Sequence, residues 1–217
     1  MIVTLDGPAG AGKSTVARAL AARLGFRFLD TGAMYRTVAL AGALHGVDWS
    51  EPAALVELTR KIKIEFAGDR VLLDGQDVTN EIRTSEVTAI THYAANNPGV
   101  RAIMVEQQRA LAGDDDLVTE GRDQGTVVFP HAECKIYLTA SPRERALRRQ
   151  RELLARGEEV SFDELLEQQN ARDQSDASRS VGPLARPAGS IELATDGLSQ
   201  DEVVDRLEDI VRAHMPP

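Results

Sequence analysis

Cysteine is nearly missing from this chain: Cys134 is the only one among 217 residues. A single thiol excludes an internal disulfide and a cysteine-rich zinc site. Its setting in "ECKIYLTA" reads as a buried strand position. Long hydrophobic runs are missing as well. No stretch approaches the roughly 20 apolar residues that span a bilayer. The chain begins on a strand pattern rather than on a cationic, apolar leader, so a cytoplasmic protein with no membrane partner is expected. Positive charge is in deficit, with 25 Lys and Arg against 34 Asp and Glu and a net charge of -9. That balance argues against a nucleic-acid partner, which needs a basic face. Repeats and low-complexity tracts are absent. What remains, 42% hydrophobic and 27% charged residues, suits one well-buried core with small insertions.

The scarce cations are not evenly spread. Arginines gather between Arg143 and Arg156 and recur at Arg172, Arg179 and Arg186. Clusters of this kind in an acidic chain suggest a local anionic ligand. Part of the first cluster is explained more simply, because the interleaved Glu144 and Glu152 give helical arginines partners one turn away.

The apolar pattern alternates between strand and helix. "IVTLD" (2–6) is a short buried strand ended by a glycine loop. Val16, Ala17, Leu20, Ala21 and Leu24 have helical spacing from Lys13 to Leu24, and Gly25 stops that helix. "RFLD" (27–30) is a second strand, and 31–46 becomes an Ala- and Leu-rich helix. Residues 62–79 alternate and carry Gly-Asp and Asp-Gly turns, which predicts a small β-hairpin insertion. A helix follows over 98–113, and strands over 116–123, 134–140 and 190–196. A long helical stretch is expected over 142–173, and a last helix opens at Ser199, where Glu202 completes a capping-box spacing. Five strands separated by helices imply an α/β fold of three layers, a five-stranded parallel sheet between helices. Ligands of such sheets bind beyond the carboxyl ends of the strands. Gly7–Ser14, Asp30–Arg36 and Glu120–Asp123 each follow a strand and so are expected along that edge.

Gly7, Gly12, Lys13 and Ser14 fit G-x-x-x-x-G-K-[ST] within "GPAGAGKST". The whole stretch, Gly7, Pro8, Ala9, Gly10, Ala11, Gly12, Lys13, Ser14 and Thr15, is expected to hold a nucleoside triphosphate, as in P-loop NTPases. Its glycines let backbone N–H groups approach phosphate oxygens, and the helix behind adds its positive end. Lys13 would reach the outer phosphates and the Ser14 hydroxyl would ligate Mg²⁺. No N-K-x-D motif accompanies the loop, so a guanine switch is disfavoured. Beyond strand two, Thr31 and Arg36 suit a phosphate or polar ligand and Tyr35 can stack on it. Beyond strand three, Arg122 beside Asp123 suits a ligand with phosphate at one end and an amino-bearing base at the other.

Five stretches, "GPAGAGKST", "LDTGAMYR", "EIRT", "EGRDQGTVVFP" and "RDQSDASRSVGPL", together resemble the successive signatures of bacterial cytidylate kinases over nearly the whole chain. The resemblance implies one kinase chain, 1–217, with a CORE (1–54, 93–150 and 180–217), a nucleoside-monophosphate insert at about 55–92 and a short LID at about 151–179. It implies transfer of the γ-phosphoryl group of ATP to CMP or dCMP with Mg²⁺, by a monomer. By the same resemblance, Thr31, Tyr35 and Arg36 line the CMP site, and Arg109 and Asp123 read cytosine. Arg122 lies on the phosphate side, and Arg172, Asp176 and Arg179 form the LID group. Arg145 and Arg149 belong to the ATP side, and transfer is assigned to Lys13, Arg122, Arg172 and Arg179. The chain departs from its relatives at Ser175 and Ala177, where some carry arginines. It departs again at His92, where many have a serine on the base, and Thr91 stands beside it. The acceptor phosphate has a second pKa near ~6 and is already ionised at neutral pH, so no general base is expected. Other monophosphate kinases of this fold, and a slow P-loop switch, remain the alternatives.

Overall fold

The computed structural model describes residues 1–155 and 157–215; Arg156, at the end of the first arginine cluster, lies outside them. Two compact units divide the chain, Met1–Leu29 with Ala112–Pro217, and Asp30–Leu111.

The first unit is built on the expected sheet. Strands β1 (Ile2–Asp6), β2 (Arg27–Asp30), β6 (Leu117–Gly121), β7 (Cys134–Thr139) and β8 (Ile191–Ala194) lie in the order β2-β6-β1-β7-β8. The ladders β1–β6, β1–β7 and β7–β8 are parallel, with Leu5 opposite Glu120 and Ile136. Central strands of such a sheet are covered on both faces and therefore read as continuous apolar runs. Every residue of β6 is buried accordingly. Helices α1 (Lys13–Leu24) and α8 (Gln200–Arg212) supply the covering side chains. Val16, Ala17 and Leu20 of α1 and Val203, Val204, Leu207 and Val211 of α8 join Val3, Leu5, Val118, Ile136 and Leu138 in one core. Cys134 is among them, and burial pushes its thiol up to about 11. The predicted capping box closes α8, with Ser199 and Glu202 exchanging side-chain and backbone bonds.

The long helix expected over 142–173 is two helices, α6 (Pro142–Leu154) and α7 (Phe162–Ala177). Gly157 takes a left-handed φ of 78°, and Ser161 caps α7 by accepting from the Glu164 N–H. The break lets Leu165 fold back on Ala146 and Leu153, a small core of its own. The segment after β6 is also more structured than a loop. Gln124–Val128 forms a wide π-helical turn in which the Val128 N–H bonds to the Asp123 carbonyl and the Phe129 N–H to that of Gln124.

The second unit contains α2 (Thr31–Leu44), α3 (Pro52–Lys61), an antiparallel sheet of β3 (Ile64–Ala67), β4 (Arg70–Leu73) and β5 (Gln76–Asp77), then α4 (Ser85–Ala95) and α5 (Pro98–Ala112). The hairpin predicted over 62–79 is there with a third short strand. Helices α3 and α4 are additions to the sequence reading. Asp30 caps α2 by accepting from the Ala33 N–H at 2.8 Å. Met34, Val38, Leu55, Ile82, Val87 and Met104 are buried in this unit.

Candidate active site

In the first unit the glycine loop is shaped by contacts that its sequence requires. Gly7 leaves β1 at φ 149°, and a Cβ there would stand 1.9 Å from the Leu138 carbonyl oxygen. Gly10 and Gly12 both take left-handed φ values, 76° and 85°. Gly12 is the N-cap of α1 and has no side chain to satisfy the helix's first N–H groups, so these are left for an anion. Lys13 is 5% exposed and its Nζ donates to the Pro8 carbonyl at 2.8 Å, across the loop. Burial, and then the positive charge of Arg122, pushes the Lys13 ammonium well below its ordinary pKa. A bound polyanion would reverse that, since an opposite charge favours the ionised form.

Ser14 Oγ donates to Glu120 Oε1 at 2.8 Å. A hydroxyl and a carboxylate converging beside a phosphate loop fit Mg²⁺, which keeps several waters and takes one or two protein ligands with substrate phosphates. Glu120 owes its place to register: it is the penultimate residue of β6 and lies beside Leu5, near the end of β1. Asp6, the residue before Gly7, is fully buried and accepts from the Gln124 and Gly125 N–H groups, each at 2.7 Å. Burial raises its pKa to about 6 in spite of these bonds. Asp6 thus ties the start of the loop to the turn that follows Arg122 and Asp123, and Asp123 is itself 4% exposed.

Two of the expected arginines, Arg122 and Arg179, join Asp176. Asp176 of α7 is 2% exposed and accepts from Arg122 Nε at 2.8 Å and from Arg179 Nη2. Burial raises the Asp176 carboxyl, but the guanidinium groups of Arg122, Arg179 and Arg172 outweigh it and hold its pKa below the usual range. Arg122 and Arg172 both act on the Lys13 ammonium. Arg122 therefore connects the two groups, pairing with Asp176 while its charge bears on Lys13.

Of the arginines expected on the ATP side, Arg145 is buried against the loop, with Nη1 donating to the Ala9 carbonyl at 2.9 Å. Arg149 is turned to Glu152 at 3.1 Å. Arg148 takes the second place at the loop, reaching the Ala11 carbonyl at 3.5 Å and the Thr195 carbonyl at 2.7 Å.

In the second unit, Thr31 is buried at the first position of α2. Arg36 folds back to Asp30 Oδ1 at 3.4 Å, over Gly32, where a Cβ would come within 3.2 Å of its guanidinium. Its Nε is buried with no hydrogen-bond partner. Arg83, in the "EIRT" stretch that carried the resemblance, joins Asp30 Oδ2 at 3.4 Å. Tyr35 is buried, and the guanidinium carbon of Arg101 stands 5.3 Å from its ring centre. Arg101 is 3% exposed, whereas Arg109, eight residues along α5, is exposed. Arg101, beside Tyr35, is thus an addition to the sequence reading. Thr91 Oγ1 donates to the Val87 carbonyl at 2.7 Å, and His92 Nδ1 lies 2.7 Å from that of Ala89. His92 and Tyr93 line a cavity of about 240 Å³ with Trp49 and Leu55.

A parallel sheet whose first strand runs through a glycine loop into a helix, with lysine across the loop and arginines gathered beside it, defines a P-loop phosphotransferase. The shikimate kinase of Bacteroides thetaiotaomicron has this fold, with a TM-score of 0.54 over 98% of both chains at 16% identity. The cytidylate kinase family model matches residues 3–213. The chain is 50% identical to the cytidylate kinase of Rhodopirellula baltica over 212 residues, 98% of this chain and 93% of that protein. It is 44% identical to that of Geobacter sulfurreducens over 216 residues, 98% and 93% of the two. The chain belongs to the cytidylate kinase family. Among the described residues, no helix is long and apolar enough to cross a membrane.

Proposed function

We propose that this kinase transfers the γ-phosphoryl group of ATP to CMP or dCMP, giving ADP and CDP or dCDP, by direct in-line attack of the acceptor phosphate. The observation that carries the reading is Arg122, which pairs with the buried Asp176 beside Arg179 and whose charge, with that of Arg172, bears on Lys13 of the glycine loop. Two polyanions must approach one another in this reaction. A group of cations held by one buried carboxylate reduces their repulsion and stabilises the charge that spreads over the transferring group.

Gly7–Thr15 holds the donor. Thr31, Tyr35, Arg36, Arg109 and Asp123 serve the acceptor, and Arg101, buried beside Tyr35, is added to them. Asp123 accepts from the cytosine amino group. Ser14 and Glu120 hold Mg²⁺, which when bound neutralises phosphate charge and orients the outer phosphates. No side chain need act as a general base, because a phosphate with a second pKa near ~6 is already dianionic at neutral pH. The division into CORE, an insert at about 55–92 and a LID at about 151–179 belongs to the same reading, as do a monomeric state and a place in the cytoplasm. Closure of the LID would exclude water from the γ-phosphoryl group.

A coupled assay of ADP formation with CMP, dCMP, UMP and AMP tests the proposal. Strong stimulation by CMP or dCMP and weak stimulation by AMP are expected. ADP release that ignores every acceptor would mean a nucleotide switch. Preference for AMP would mean an adenylate kinase specificity.

A further inference from the structure

A phosphate loop works through its N–H groups, and these point wherever the peptide planes are turned. In a trans peptide the C=O of one residue and the N–H of the next point in opposite directions. Anchoring a carbonyl therefore aims the following N–H. Two carbonyls of this loop are anchored by arginines of one helix, α6. Arg145 Nη1 donates to the Ala9 carbonyl at 2.9 Å, and Arg148 Nη1 reaches the Ala11 carbonyl at 3.5 Å. The N–H groups that follow are those of Gly10 and Gly12, the two residues whose left-handed φ builds an anion-binding concavity.

The arginines are themselves held. Arg145 is 3% exposed; its Nε donates to the Ala140 carbonyl at 3.1 Å and its Nη1 pairs with Asp173 of α7 at 2.7 Å. Arg148 is fixed by Glu144 at 3.0 Å and by the Thr195 carbonyl at 2.7 Å. The loop is seated closely on this support, since a Cβ on Gly10 would meet Gln169 Nε2 at 3.0 Å and the Arg145 Cβ at 3.2 Å. With Nε and Nη1 of Arg145 committed to two carbonyls and a carboxylate, the plane of its guanidinium is fixed against the loop.

We infer that Arg145 and Arg148 are positioning residues. They set the Gly10 and Gly12 N–H groups for the donor's phosphates by holding the Ala9 and Ala11 carbonyls away from them. The inference rests on the assignment of Gly7–Thr15 to ATP. Arg145→Lys can keep the charge and one acceptor but not three, and Arg148→Ala removes the weaker anchor from a half-buried site.

Binding of ATP and of CMP is measured separately by titration calorimetry on the whole protein, with KM for each substrate alongside. Arg145→Lys should weaken ATP by roughly tenfold or more, the scale of one misplaced hydrogen bond to a charged group. Arg148→Ala should weaken it severalfold and Arg148→Lys less. CMP affinity and KM for CMP should stay within about twofold of wild type. Should Arg145→Lys lose its cooperative unfolding transition, Arg148→Ala decides alone. Unchanged ATP affinity in the folded variants overturns the inference, and so does a parallel loss of ATP and CMP binding, the mark of a general structural role. Wild-type protein that binds CMP but not ATP would overturn the donor assignment itself, and this inference with it.

Discussion

Asp6 offers a pH experiment whose sign is fixed by the structure. Its carboxyl is fully buried, between the end of β1 and the turn after Asp123, and is raised from 3.8 to about 6. Desolvation is the main cause and the nearby Asp123 charge adds to it, while the Gln124 and Gly125 N–H groups and Lys13 oppose it. A folded-state pKa above the unfolded value means that the native protein binds the extra proton between these limits. Stability from this group is therefore greatest at low pH and falls as pH rises through the window, levelling off above about 6. A shift from 3.8 to about 6 corresponds to about 3 kcal/mol in all. Of this, about 2 kcal/mol should fall between pH ~4.5 and ~7.5. Asp6→Asn removes the titration. It also places an amide nitrogen against one N–H donor, a pH-independent loss of about 1–3 kcal/mol. Urea unfolding of both proteins across that range isolates the titrating part. The wild-type advantage over Asp6→Asn should shrink by about 2 kcal/mol from the acid end to the neutral end. A difference that is flat with pH, or one that grows as pH rises, would refute the reasoning.

Three further outcomes follow from the site. Lys13→Met should lower kcat by about a hundredfold or more while CMP binding by calorimetry stays near wild type; loss of CMP affinity instead would mean that the lysine is misassigned. Asp123→Ala should raise KM for CMP by roughly tenfold or more and leave KM for ATP little changed, and an equal penalty on CMP and UMP would remove Asp123 from base reading. Gly7→Ala forces a Cβ against the Leu138 carbonyl oxygen, at 1.9 Å from a backbone atom that cannot turn aside. It should lower stability by on the order of 3 kcal/mol, and a melting temperature equal to wild type would show that β1 and β7 can part more easily than their ladder suggests.

The parts of this molecule that were readable in advance are those whose cause is local. A β-branched strand, three glycines and a helix start are written within residues 2–15, and the loop they form has the left-handed glycines its pattern demands. The Ser199 capping box is equally local and equally present. The break between α6 and α7 was also written, in Gly157 and in Ser161 followed three residues later by Glu164. A continuous run of helix-forming charged residues on either side outweighed it in the sequence reading. Arg148 and Arg149 show a different limit. Both share a helical face with Arg145, and only the side on which the loop lies decides that Arg148 reaches it while Arg149 meets Glu152. Arg101 and Arg109 are divided in the same way, by burial against Tyr35 that helix phase alone does not express. Asp6 had no signal of this kind at all. Its partners are backbone N–H groups some 118 residues away, and a peptide N–H has no letter in the sequence. That is why the chemistry-bearing side chains were found more readily than the groups that aim them: the former are chosen by residue type, the latter by where a carbonyl or an N–H happens to be turned.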